Sequence, residues 1–353
     1  MVRPTGVHPG CFEGSRFDID PPAPFMDLIG RFNFMNFLVT GGAGFIGSHV
    51  CERLLLSGHS VWAFDDLNPF YDPQLKRRNL AEVQVHGLPF TCVQGDVTNR
   101  AALDSLFQRA RFDQVIHLAA RAGVRPSLEE PALYQRVNVE GTVNVLEAAR
   151  FAGVDKLIIA SSSSVYGVNS QIPFSEAHPI FQPISPYAAS KLACEALGHV
   201  YHHVYGMDVT MLRFFTVYGP RQRPDLAIHK FARLIEAGKP IPVFGDGSSA
   251  RDYTYIDDII EGIQACTRTR FGYEVFNLGE SDTVTLTRLI SVLEEALGRK
   301  ATIERQPLQP GDVPLTCADI SKAREKLGYQ PRVRIEQGIP RFAEWFQNTT
   351  HTL

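Results

Sequence analysis

Tyr187 and Lys191 stand four residues apart in Tyr-Ala-Ala-Ser-Lys, behind a loop carrying Pro183 and Pro186. On a helix that spacing puts the phenol and the ammonium on one face. A neighbouring positive charge favours the phenolate, so Tyr187 can draw a proton from a substrate hydroxyl. An earlier run, Ser161-Ser162-Ser163-Ser164, follows the apolar stretch Lys156–Ala160 and offers a hydroxyl to hold the reacting oxygen. Together these groups suit oxidation of an alcohol, with hydride leaving the carbon as the proton leaves its oxygen. Tyr-x-x-x-Lys is common on ordinary helices, so this chemistry needs a cofactor site elsewhere in the chain.

Phe37-Leu-Val-Thr-Gly41-Gly-Ala-Gly44-Phe45-Ile46-Gly47-Ser-His49 supplies one. An apolar run ends in glycines and an amphipathic run begins at once, which reads as strand, tight turn, helix. Gly41 permits the turn, Gly44 lets backbone approach a pyrophosphate, and Gly47 lets the helix lie close. The first helical N–H groups, at Phe45, Ile46 and Gly47, point at an anion with the helix dipole behind them. A second strand, Ser60–Phe64, ends in Asp65 at about the 20-residue spacing where an acid accepts from a ribose 2′-hydroxyl. That acid disfavours a 2′-phosphate, so the expected cofactor is NAD over NADP. Asp96, with Val97 beside it, follows the strand Pro89–Val93. It either accepts from the adenine amino group or caps the next helix, where Thr98 competes. Leu118, Ala119 and Ala120 end the fourth strand with small residues that leave room for a flat cofactor. His117 before them reads as a packed core histidine.

The elements that must deliver these groups alternate from Met35 onward. Strands are expected at 36–40, 60–65, 89–93, 113–118, 155–161 and 208–214, and helices near 45–57, 99–109, 131–152 and 186–205. This is the α/β pattern of a doubly wound parallel sheet (Rossmann), whose ligands bind beyond the carboxyl ends of the strands. Residues 35–213 are read as the NAD-binding domain, with 252–280 returning to it. After Phe214 the pattern gives way to shorter, proline- and glycine-dense elements. Residues 214–348 are accordingly read as a smaller, interleaved α/β substrate-binding domain, ending in apolar-faced helices at 285–297 and 335–347. Residues 1–34, broken by prolines and glycines, read as an extension or an over-long start before Met35. A net charge of −3 with no basic block recommends neither nucleic acid nor membrane as partner. No apolar run approaches the roughly 20 residues needed to span a bilayer. The six cysteines are scattered, as in a cytoplasmic protein with reduced thiols and no metal site.

Taken together, GGAGFIG, the acid after strand two, GDV, HLAA, SSSSVYG and YAASK resemble the extended short-chain dehydrogenase/reductase family of nucleotide-sugar epimerases and dehydratases. Within it the chain is most similar to the UDP-glucuronate 4-epimerases. The resemblance implies Ser162 as catalytic hydroxyl, Tyr187 as base, and Lys191 as its partner and holder of the nicotinamide ribose. It implies Asn138 as a structural and active-site asparagine, and a homodimer built on the helices 131–152 and 186–205. It also implies a UDP-sugar held in the second half of the chain. There Ala227–Lys230 and Pro242–Phe244 frame the uracil, Arg251 meets the pyrophosphate and Asp312 the uridine ribose. Arg125 belongs with these substrate contacts.

Every reaction of the family begins with a 4-keto sugar. A dehydratase then needs an acid and a base, and that branch carries Asp-Glu where this chain has Ser163 and Ser164. The decarboxylating branch has Glu in place of Ser164. Glucose epimerases show asparagine where Thr216 stands, whereas glucuronate epimerases share Thr-Val-Tyr-Gly-Pro and an arginine matching Arg223. Thr216, Arg223, Ser163 and Ser164 are therefore expected to pin a sugar carboxylate. Plain UDP-glucose 4-epimerisation is the alternative, and an NAD sensor without turnover a further one. Two departures from the family pattern add positive charge: Arg121 replaces a glutamine, and Arg221-Gln222 replaces Trp-Gly. Tyr187→Phe is expected to abolish oxidation at C4 and to spare the affinity for both ligands. Absorbance of reduced cofactor on mixing with substrate checks this, and a near-native rate would remove Tyr187 from the reaction.

Overall fold

The computed structural model describes residues 34–168, 171–307 and 313–350. The expected extension lies outside them apart from Phe34, and so does Asp312. Runs rich in apolar and β-branched residues form the strands β1 Asn36–Thr40, β2 Ser60–Asp65, β3 Phe90–Gln94, β4 Gln114–His117, β5 Lys156–Ser162, β6 Asp208–Phe214 and β7 Tyr273–Leu278. They form one parallel sheet in the order β7-β6-β5-β4-β1-β2-β3. Helices cover both faces, so neighbouring residues of one strand enter opposite cores. Phe37, Val39 and Ile158 pack into one cluster, and Leu38, Leu157 and Ile159 into the other. β1 lies between β2 and β4, with Thr40 level with Phe64 and His117. The strand order reverses there, which opens a crevice beyond the carboxyl ends.

Helix Pro186–Tyr205 has local reasons to start and stop. The Ser185 hydroxyl accepts from the Ala188 N–H at 3.1 Å, proline occupies the first turn, and Gly206 ends it in the left-handed conformation. Residues 131–151 are helical as expected, but Gln135–Glu140 form a π-helical turn. Several elements escape the sequence reading, among them the helices Pro73–Gln84, Ala227–Glu236 and Ile256–Arg268 and strand β7. Helix Pro73–Gln84 is too polar to show a strong apolar stripe, although Asp72 accepts from the Gln74 N–H and Pro73 opens the helix. Strand β7 is hidden because the short elements after β6 separate it from its neighbour in the sheet.

Among those short elements, Thr216–Tyr218 pairs with Tyr253–Tyr255, Ile241–Phe244 with Ile303–Gln306, and Ala250–Arg251 with Val284–Thr285. One buried carboxylate fastens several of them. Asp252 accepts from the N–H groups of Glu280 at 2.7 Å, Ser281 at 3.0 Å and Ala318 at 3.0 Å, and from the Thr254 hydroxyl at 3.1 Å. Burial still pushes its pKa up to about 6. Asp252→Ala strips three N–H groups of their acceptor, at about 1–3 kcal/mol apiece. A stability loss of roughly 3–6 kcal/mol is expected in urea unfolding, and a loss under about 1 kcal/mol would show that water replaces the carboxylate.

Candidate active site

Beyond β1, β4 and β5 lies a cavity of about 500 Å³. Its floor is backbone. Gly41 has φ +71°, and a Cβ there would stand 2.8 Å from the Ala119 nitrogen. A Cβ on Gly47 would stand 2.1 Å from the Gly41 carbonyl oxygen. No side chain caps helix Phe45–Leu56 at Gly44, so its first-turn N–H groups remain as donors to an anion. Gly44, Phe45 and Ile46 line the cavity with them.

Asp65, at the end of β2, faces the same space. Its carboxylate accepts from the Ala43 N–H at 3.1 Å and the Leu67 N–H at 2.9 Å, and meets the Lys76 ammonium at 3.3 Å. The acid therefore braces the glycine loop from inside the cavity wall. Asp66, Phe70, Tyr71 and Lys76 share that wall. The sequence reading missed them, and its available signal was the Asp72-Pro73 helix start.

Val97, Leu118, Ala119, Ala120 and Asp96 also line the cavity. The capping alternative for Asp96 does not hold, and neither does capping by Thr98. Asn99 caps helix Arg100–Arg109 through the Ala102 N–H, while Asp96 accepts from the Thr98 N–H at 2.8 Å. His117 is a core residue, placed between the hydroxyls of Thr40 at 2.6 Å and Thr142 at 3.1 Å. Burial, helped by the Lys191 charge, pushes its pKa down to about 3 and keeps it neutral.

Tyr187, Lys191 and all four serines line the same cavity. Lys191 is buried, and its ammonium donates to the Ala160 carbonyl at 2.8 Å, which fixes it against the end of β5. The Ser162 hydroxyl accepts from the Ser164 N–H at 3.2 Å and lies 3.1 Å from the Ser164 hydroxyl. It thereby caps the short turn Ser163–Tyr166. The Tyr187 ring stands edge-on to Tyr134, with centroids 6.1 Å apart. Asn138, buried in the π-helical turn, accepts from the Arg121 N–H at 2.7 Å. Its amide donates to the Arg121 carbonyl at 3.0 Å and to the Ser190 hydroxyl at 2.9 Å. It ties the loop after β4 to the helix that carries Tyr187.

A second cavity of about 850 Å³ shares Thr216 and Leu226 with the first. Arg125, Ala227, Phe244 and Arg251 line it. The Arg125 guanidinium sits 4.6 Å from the Phe244 ring centroid, and Arg251 donates to the carbonyls of Ala250 and Pro314. Arg223 faces the first cavity while holding Asp225 by Nε at 3.0 Å and Nη2 at 2.6 Å. Arg221 adds no charge to either cavity. Its buried side chain pairs with Glu82 at 2.7 Å and Glu52 at 2.9 Å instead. Arg121 does line the first cavity, with Nη2 3.4 Å from Asp66.

A family model described as GDP-mannose 4,6 dehydratase matches residues 38–342. The chain belongs to this family. It is the nucleotide-sugar branch of the extended short-chain dehydrogenases/reductases that the motifs resembled. A UDP-glucuronate 4-epimerase of Thermodesulfobacterium geofontis is 46% identical over 88% of this chain and 95% of its own length. The crystal structure of a UDP-glucuronic acid 4-epimerase from Bacillus cereus, in complex with UDP-glucuronic acid and NAD, is 39% identical. It superposes with a TM-score of 0.84 over 89% of this chain and 100% of that one. A UDP-glucose 4-epimerase of Thermotoga maritima, with UDP-glucose, is 33% identical with a TM-score of 0.82 over 90% and 100%.

Asp65→Ala removes both the acid at the cavity wall and the acceptor that braces Ala43. Affinity for NAD should fall on the order of tenfold, the worth of one charge-assisted hydrogen bond, and discrimination against NADP should relax. Fluorescence titration with both cofactors checks this. Unmoved affinities would leave Asp65 only its bracing role.

Proposed function

We propose that the protein is an NAD-dependent 4-epimerase acting on UDP-glucuronate, interconverting it with UDP-galacturonate through a 4-keto intermediate. The observation that carries this reading is the gathering of Ser162, Tyr187 and Lys191 in the glycine-floored cavity, which opens through Thr216 and Leu226 into a second one. Family members of that name at 46% and 39% identity support the glucuronate substrate, against 33% for the glucose epimerase.

The residues present fit NAD. The backbone floor excludes even a Cβ, the helix start is uncapped, and Asp65 lines the same cavity as the residue proposed for the adenosine ribose. NAD bound there would supply the hydride acceptor for C4 and, once the 4-keto sugar has turned its other face, the hydride donor. Tyr187 takes the C4 hydroxyl proton and later gives it back. Lys191 is held in the same cavity wall by the Ala160 carbonyl. Ser162 donates to the same substrate oxygen. Ser163 and Ser164 provide neither the acid nor the base of an elimination, so the keto sugar has no route to dehydration.

A 4-keto-glucuronate is a β-keto acid and loses CO₂ when its carboxylate bond stands perpendicular to the ketone plane. Thr216, Ser163, Ser164 and Arg223 hold the carboxylate away from that alignment. Because Asp225 engages Nε and Nη2 of Arg223, the sugar carboxylate meets the Nη1 edge. In the second cavity Ala227 and Phe244 frame the uracil, Arg251 serves the pyrophosphate, and Arg125 belongs with the substrate contacts. Residues 35–213 with 252–280 then form the cofactor domain and 214–348 the sugar-nucleotide domain. Exposed Phe151, Val200, Val204 and Tyr205 suit a homodimer packed on the helices 131–151 and 186–205. Among the described residues no helix is long and apolar enough to cross a membrane, and the cytoplasm is the proposed location.

Wild type should prefer UDP-glucuronate to UDP-glucose, and Arg223→Ala should remove most of that preference. A charge-assisted hydrogen bond of about 1.5–3 kcal/mol corresponds to roughly 10- to 150-fold in specificity. The variant should also leak CO₂ and a pentose product. Product NMR, kcat/KM for both sugars and CO₂ release measure this. If wild type favours UDP-glucose, the glucuronate assignment passes to the glucose epimerase reading.

A further inference from the structure

Behind the serine turn runs a buried polar chain that touches no substrate. Glu195 lies one helical turn beyond Lys191, and Arg213 lies on β6; both are almost fully buried. The guanidinium grips the carboxylate with two parallel bonds, Nε to Oε1 at 2.9 Å and Nη2 to Oε2 at 2.7 Å. The Ser161 hydroxyl donates to Oε1 at 2.5 Å. On its other side Arg213 donates from Nη1 to the Tyr166 hydroxyl at 2.9 Å. Tyr166 in turn donates to the Asn277 side-chain carbonyl on β7 at 2.7 Å.

A buried ion pair is weak evidence for stability, since apolar side chains of similar volume often serve as well. What this pair supplies is direction. Ser161 and Tyr166 bracket Ser162, Ser163 and Ser164, so one guanidinium–carboxylate fork holds both ends of the serine turn. Glu195 rides on the helix that carries Tyr187 and Lys191. The base and the hydroxyl are thus joined by a planar, bidentate contact that tolerates little rotation.

We propose that Glu195 and Arg213 are positioning residues for the epimerisation, setting the Ser162 hydroxyl against Tyr187 through Ser161 and Tyr166. This rests on the reading of Ser162 and Tyr187 given above. Ser161→Ala keeps the ion pair and cuts its link to the strand end. In the NAD-loaded enzyme kcat should fall about tenfold, within the range expected when a reacting group is slightly misplaced. KM for UDP-glucuronate and the NAD content should stay within twofold. The isotope effect on kcat with sugar deuterated at C4 should rise, because hydride transfer becomes slower. Glu195→Met with Arg213→Met removes both charges together, so no unpaired ion is left, and the same split between kcat and KM is expected. The proposal is overturned if Ser161→Ala, or the folded double variant, keeps wild-type kcat and isotope effect while losing only thermal stability. Should the double variant fail to fold, Ser161→Ala decides alone. Wild type that turns over no UDP-sugar would instead sink the epimerase reading itself.

Discussion

All seven strands of the central sheet run the same way, and this parallel register is the constraint on which the site depends. Parallel pairing brings the carboxyl ends of β1, β2, β4 and β5 to one rim, where Gly41, Asp65, Leu118 and Ser162 follow. Because both faces of the sheet are covered, the rim is the place where a ligand can reach backbone. The reversal of strand order at β1 prevents helices from closing over it. The close approach of Gly47 to the Gly41 carbonyl then leaves the floor no room for side chains.

Around and behind that floor, buried charged groups are paired with one another. Asp65 meets Lys76, Arg213 meets Glu195, and Arg221 meets Glu52 and Glu82. Pairing of this kind avoids the penalty of an isolated buried charge. It also means that an extra arginine in the sequence need not be an extra cation in the site, as Arg221 illustrates. Arg223 is intermediate: it faces the cavity, yet holds a carboxylate of its own chain. An anionic sugar would share that guanidinium with Asp225.

In the proposed function, the serine turn is where the fate of the keto sugar is set. The 4-keto sugar is common ground, and what happens next depends on which groups stand over C5 and C6. In the proposed function, the Ser163 and Ser164 hydroxyls hold a substituent without exchanging protons with it near neutrality. Restraint of the keto sugar, followed by return of hydride, is the chemistry such a turn permits.

Much of this was legible in the order of residues. The glycine turn, the acid after β2, the capped helix of Tyr187 and Lys191, and six of the seven strands follow from apolar periodicity and from turn and cap preferences, which act over a few residues. The motifs proposed as functional stand out in the sequence because each is a short run at a strand end or a helix start. What tertiary structure decided was which distant side chains meet. Arg221 turns to Glu52 and Glu82, and Lys76 reaches Asp65. Glu195, Arg213, Tyr166 and Asn277 join four elements into one buried network. No local spacing encodes such contacts, because the order of strands in the sheet sets them, and that order is settled only when the whole core closes.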